Sequence, residues 1–254
     1  MFEIKPYLLL VEGKEDEEFF RWLFWEENDV EIRSTGGKTY QLATGKILED
    51  VINPKKWIVI QDRNYRPGWE KIVEQEEVLV KTSEEDDIFV LKWTEIENIY
   101  FFFLKSLDEI KFTEVKEFIS NNLKTIRQIV YTKICKSLLS WKIKTIWNRK
   151  SIDKCNFELN LPEAEDQTKL VFEFLNKNEE NIYYVLPMKD IFNAVKIVTQ
   201  FDYIGFVRKK VGIGLGRLHE DKDRLRIRER LIKLLPVKSL VEEIKKELFS
   251  LPAK

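Results

Sequence analysis

The residues of this chain that could do chemistry are mostly carboxylates. Glu12 follows the apolar run Tyr7 to Val11, and Gly13, Glu15, Asp16, Glu17 and Glu18 come soon after it. Asp62 stands just beyond a second apolar run, Trp57 to Ile60, and opens the string Asp62-Arg63-Asn64. Glu95 and Glu97 form a third acidic group in Glu95-Ile96-Glu97-Asn98. Acids that converge from distant stretches can share a hard, oxygen-preferring cation such as Mg²⁺, which takes a few carboxylates and keeps several waters. Such an ion activates a nucleophile and neutralises a leaving oxygen, the two needs of phosphodiester hydrolysis.

Other chemistries fit less well. The single histidine, His219, lies in a charged segment and reads as a solvated surface residue. Zinc sites and Ser-His-Asp or Cys-His arrangements mostly need more histidine than that. Two cysteines, Cys135 and Cys155, can build neither a disulfide framework nor a metal quartet and read as reduced thiols. No apolar run approaches the ~18 residues of a membrane span, and acids arrive too early for a secretory leader, so the expectation is a cytoplasmic protein with no membrane partner.

The elements that must position these acids follow from hydrophobic patterning. Tyr7 to Val11 is short and wholly apolar, as a strand buried on both faces should be. Phe19, Phe20, Leu23 and Phe24 then recur on one helical face, with acids crowding the first turn, where they suit the helix dipole. Val30 to Ser34, Trp57 to Ile60, Val78 to Lys81 and Ile88 to Leu91 read as further strands, the last two flanking the acidic loop Ser83 to Asp87. A helix over Tyr40 to Val51 ends before Pro54. The Thr35-Gly36-Gly37-Lys38-Thr39 string invites a phosphate-loop reading, but Ile32 occupies the position that motif gives to glycine. The alternation predicts an α/β fold with a mostly parallel sheet covered by helices on both faces, its ligands at the carboxyl ends of the strands.

Beyond Trp93 the pattern turns helical. Thr94 and Glu97 have capping-box spacing. Residues 113–147 form a helical tract broken near Asn121-Asn122, Pro162 marks a loop, and 165–176 read as a helix. Ile182 to Leu186 reads as a late strand, Pro187 opens a helix through Val198, Gly212 to Gly216 as a loop, and helices over 222–235 and 238–249 are separated at Pro236. The boundary is drawn near residue 105, giving an α/β domain over 1–105 and a mainly helical basic region over 106–254 whose Lys189 segment could return to the site.

A net charge of −1 conceals strong segregation: residues 1–98 carry 13 basic and 23 acidic side chains, residues 120–154 carry 9 basic and one acid, and residues 205–254 carry 14 basic and 7 acidic. An acidic metal-binding module beside a basic surface for a polyanion has this pattern; so do solvated helix faces that form no single patch.

Val11-Glu12-Gly13-Lys14-Glu15-Asp16-Glu17-Glu18-Phe19-Phe20 resembles the first motif of the Toprim domain, the catalytic module of topoisomerases, bacterial primases and certain nucleases. Ile58-Val59-Ile60-Gln61-Asp62-Arg63-Asn64 occupies the place of its second motif, Asp-x-Asp, with Asn64 where the second acid belongs. The segments around Glu95-Ile96-Glu97 and Leu186 to Val195 resemble a narrower group, the overcoming-lysogenization-defect-type nucleases and Toprim effectors of phage defence. The resemblance implies a Toprim-like fold and an Mg²⁺- or Mn²⁺-dependent nuclease cleaving DNA or RNA. It makes Glu12 a metal ligand or general acid/base, Asp16, Asp62, Asn64, Glu95 and Glu97 metal-site residues, and Lys189 a stabiliser of transition-state charge. Asp16 could equally serve the helix dipole, and Glu95 and Glu97 a helix cap. Candidate contacts to nucleic acid are Arg63, Arg66, Lys142, Lys144, Arg149, Lys150, Arg208, Lys209 and Lys210. With no Walker motif here, an ATPase partner of the kind defence effectors use would be a separate chain; a homodimer is left open. The alternative from a different class is a catalytically weak or inactive Toprim-fold module that binds nucleic acid without turning it over.

Overall fold

Five strands form one sheet in the order β2-β1-β3-β5-β4. They are β1 (Tyr7–Val11), β2 (Val30–Ser34), β3 (Lys56–Gln61), β4 (Leu79–Lys81) and β5 (Ile88–Leu91). Pairings β1–β2, β1–β3 and β3–β5 are parallel, and only β4 runs antiparallel against β5. The chain is therefore α/β with a mostly parallel sheet and a helical C-terminal part. The computed structural model describes residues 5–37, 40–82, 87–148, 161–214 and 221–250, without the side chains of 141–148 and Leu161. His219 and Cys155, and most of the acidic loop after Thr82, lie outside the described residues.

Two compact units emerge, and neither is a single span. The first comprises residues 1–62, 75–92 and 205–254; the second comprises 63–74 and 93–204. The boundary drawn near residue 105 falls inside a helix, Glu97–Leu107, and is not the edge of a unit; the last strand already ends at Leu91.

The first unit is built on the sheet. Leu8, Leu10 and Val59 pack with Trp57 and with Leu48 of α2 (Gln41–Ile52) on one face. Tyr7, alternating to the other face, meets Phe249 of α12 (Leu235–Phe249) edge to face. Helix α1 (Lys14–Leu23) buries Phe19, Phe20, Trp22 and Leu23, and Phe24 is buried just beyond it. Its carboxyl end is tied down by Arg228 of α11 (Lys222–Leu231), which donates from Nε to the Trp22 carbonyl at 2.9 Å and from Nη2 to the Leu23 carbonyl at 3.0 Å. Such bonds satisfy carbonyls that a helix end leaves bare, and the cation suits the negative end of the dipole. Helix α10 (Tyr203–Val211) stops at Gly212, whose φ of 84° lets both its own N–H and that of Ile213 reach the Arg208 carbonyl. The glycine-rich string is thus in its described part a helix stop; the rest lies outside the described residues.

The second unit contains α3 (Trp69–Val73), α4 (Glu97–Leu107), α5 (Glu109–Asn121), α6 (Leu123–Asn148), α7 (Leu161–Lys177), α8 (Ile182–Val185) and α9 (Met188–Thr199). The break between α5 and α6 falls at Asn122, as the sequence suggests. Three expectations give way. Ile182 to Leu186 is a single helical turn and not a strand, because the carbonyls of Tyr183 to Leu186 accept from Asn98, Arg63, Thr94 and Tyr65 and need no neighbouring strand. Thr94 does not cap α4, which begins beyond Ile96; its hydroxyl is taken up by Arg63 and the Tyr184 carbonyl. Pro162 lies in the first turn of α7, where proline costs no hydrogen bond. In the first unit, Pro236 likewise belongs to the first turn of α12, and α11 ends at Leu231. No described helix is long and apolar enough to cross a membrane.

Candidate functional site

In the first unit the parallel ladder pairs Leu10 of β1 with Val59 of β3. Glu12 and Asp62, each just past its strand, therefore leave the sheet at the same carboxyl edge, on neighbouring strands that lie about 4.8 Å apart. Both residues are half-buried. Before Asp62, Gln61 donates from Nε2 to Gln41 Oε1 at 2.7 Å, and Gln41 Nε2 donates to the Ile60 carbonyl at 3.2 Å. This buried amide pair anchors the end of β3 to α2. Sequence reading missed it, because two glutamines twenty residues apart carry no local signal.

The four acids after Gly13 divide three tasks among them. Asp16 Oδ2 accepts from the Gly13 N–H at 2.8 Å, closing the first turn of α1 as a capping acid does. Glu17 accepts from the Ser34 N–H at 2.9 Å and from the Ser34 hydroxyl at 2.7 Å, pinning α1 to the end of β2. Burial works against its charge, yet Ser34 and Arg21 outweigh it and hold the carboxyl below its ordinary value. Glu18 and Glu15 both pair with Arg208, so that guanidinium is committed to acids of its own unit and not to a substrate phosphate. Lys209 and Lys210, in the last turn of the same helix, are exposed.

In the second unit Glu95 and Glu97 are 3% and 4% exposed, and each is matched to a lysine. Lys133 Nζ of α6 lies 2.7 Å from Glu95 Oε1 and 3.4 Å from Asp190 Oδ2. Glu95 Oε2 accepts the Lys189 N–H at 3.1 Å, placing a carboxylate at the N-terminus of α9 where the dipole favours it. Lys189 Nζ lies 3.1 Å from Glu97 Oε1, with its side chain 43% exposed. Burial, with Glu97 and Asp190 nearby, pushes the Glu95 carboxyl up, and Lys133 opposes this. Burial disfavours the Lys133 ammonium, but Glu95 and Asp190 hold its pKa above the ordinary lysine value. Lys133 and Asp190 were not singled out in the sequence; partners 38 and 57 residues from each other meet only through folding.

Arg63 is not a surface phosphate contact. It is 0% exposed, donates from Nη2 to Thr94 Oγ1 and to the Tyr184 carbonyl at 2.7 Å each, and lies over the Trp69 ring at 4.9 Å. Burial lowers its pKa to about 10. Asn64 adopts φ 48° and its N–H donates to the Thr94 carbonyl at 2.8 Å. Arg66 is half-buried. Lys142 and Lys144 lie on α6 where side chains are not described, and Arg149 and Lys150 lie outside the described residues.

The donor chemistry of the first unit suits a hard divalent cation: Glu12 and Asp62 offer two carboxylates, and Mg²⁺ asks for one or two beside its waters. Glu95 and Glu97 suit it poorly, because a lysine ammonium already neutralises each. Among the described residues no three acids, histidines or cysteines gather into a metal-binding group. No protein-family model matches the chain, and comparison with curated proteins finds no match.

Proposed function

We propose that this chain is a Toprim-type, Mg²⁺- or Mn²⁺-dependent nuclease that uses one carboxylate pair, Glu12 and Asp62, on a nucleic-acid phosphodiester. The observation that carries this reading is the β1–β3 ladder, which delivers both acids to one edge of a parallel sheet, where open α/β folds bind ligands. A divalent ion held there would supply Lewis acidity at the phosphate. Glu12, half-buried, is the candidate to ligate it or to move the proton of the attacking water. Asp62 is the second ligand. Asp16 supports the turn that presents Glu12, through its bond to Gly13. Glu95 and Glu97 act as holders of Lys133 and Lys189 within the second unit.

Purified protein with Mg²⁺ or Mn²⁺ should cleave plasmid, single-stranded DNA or tRNA, and Glu12→Gln should abolish the reaction with folding unchanged. Equal cleavage by that variant would overturn the assignment.

A second reading is favoured by the lysines on Glu95 and Glu97 and by Asn64, all of which lower the negative charge of the motif residues. On it the chain binds nucleic acid without hydrolysing it. Affinity that falls steeply with salt, together with no metal-dependent product, would select this reading.

A further inference from the structure

Helix α6 spans 26 residues, from Leu123 to Asn148, and carries six lysines and arginines but no acid. Helical cations in water usually find acids three or four positions away. Helix α6, roughly 39 Å long, has none of its own to offset its cations. Arg127 lies over the Phe172 ring, and Lys133 is held by Glu95 and Asp190. Lys136 is exposed, with no ion-pair partner among the described residues.

Lys136 lines an open groove of about 280 Å³ between α6 and α9. Ile129, Ala194 and Ile197 contribute its apolar wall, and Ile197 is 81% exposed. Gln128 and Asn193 offer exposed amides. Asp190, the one acid lining the groove, shares Lys133 with the buried Glu95, and Lys136 is the groove's cation outside that cluster. Apolar surface for a ring face, amides with both donors and acceptors for a ring edge, and a cation for a phosphate together describe one nucleotide. The volume lies just below the roughly 300–1,000 Å³ of ligand pockets, enough for one base turned out of its stack and too little for a duplex.

We infer that the α6–α9 groove binds an unpaired nucleotide of single-stranded nucleic acid, the base on Ile129, Ala194 and Ile197 and the phosphate at Lys136. This rests on the nucleic-acid reading above, and not on hydrolysis at Glu12.

The test is fluorescence anisotropy of a labelled oligothymidylate of about 16 nucleotides with the full chain in EDTA, so that cleavage plays no part. Lys136→Glu and Ile197→Asp, both exposed positions, should each weaken binding about tenfold, and the first should reduce the salt slope by about one. Lys46→Glu, on exposed α2 surface, should leave binding unchanged. Wild-type affinity in both groove variants would overturn the inference. So would preference for a duplex of the same length, or capture of polyglutamate with no binding of the oligonucleotide. Binding through the groove by a chain that cleaves nothing with Mg²⁺ or Mn²⁺ would uphold the groove and remove the hydrolytic reading alone.

Discussion

The ammonium of Lys133 sits 2.7 Å from the carboxylate of Glu95, and both side chains are largely withdrawn from water. Removing one partner of such a pair leaves a buried charge without compensation. Lys133→Met should therefore lower unfolding free energy by about 3–5 kcal/mol, read from urea melts at neutral pH. Replacing both residues by methionine should cost much less than the single change. Because the folded pKa of Lys133 is raised, its contribution is full below pH 10.5 and fades as pH climbs through the raised value. The wild-type advantage over Lys133→Met should shrink in that alkaline range.

Asn64 stands two residues after Asp62, where the Toprim motif it resembles has its second acid. Its φ of 48° is a left-handed conformation that aspartate tolerates almost as well as asparagine. Asn64→Asp should fold normally and bind Mn²⁺ several-fold more tightly by calorimetric titration, since ligand charge tunes divalent affinity. Unchanged Mn²⁺ affinity would place residue 64 outside the metal site.

Glu17 gives the first unit part of its acid sensitivity. Its folded pKa is depressed, so the stability it lends is present above the ordinary 4.5 and is lost as pH falls through the lower folded value. Glu17→Gln should lower stability by about 1 kcal/mol at pH 7 and flatten the decline below pH 4.5, followed by denaturant melts across that range.

Gly45 of α2 lies directly against the Trp57 ring of β3. A Cβ there would lie 2.7 Å from Cη2 of the Trp57 ring, well inside contact distance. Although alanine favours helix, Gly45→Ala should destabilise by about 1–3 kcal/mol as Trp57 is forced aside, a shift visible in its fluorescence.

The sheet was legible because buried parallel strands are short, apolar and bounded by polar turns, as Tyr7 to Val11 and Trp57 to Ile60 are. The positions of Glu12 and Asp62 followed from those strands. What each charged group does next did not follow. Arginine is almost never fully buried, so Arg63 reads as a surface contact until Trp69, Thr94 and Tyr184 are seen around it. Arg208 likewise reads as available until Glu15 and Glu18 are in place. Ile182-Tyr183-Tyr184-Val185 has strand-loving residues, and only tertiary hydrogen bonds at its carbonyls make a helical turn the better solution.

The discontinuity of the first unit bears on how the protein is made. Glu243 of α12 receives the backbone N–H groups of Val78 and Leu79, and Arg228 of α11 holds the end of α1. A nascent chain emerging amino end first thus completes its five strands long before α11 and α12 are made. Until then the face of the sheet that α12 packs against stays open to water.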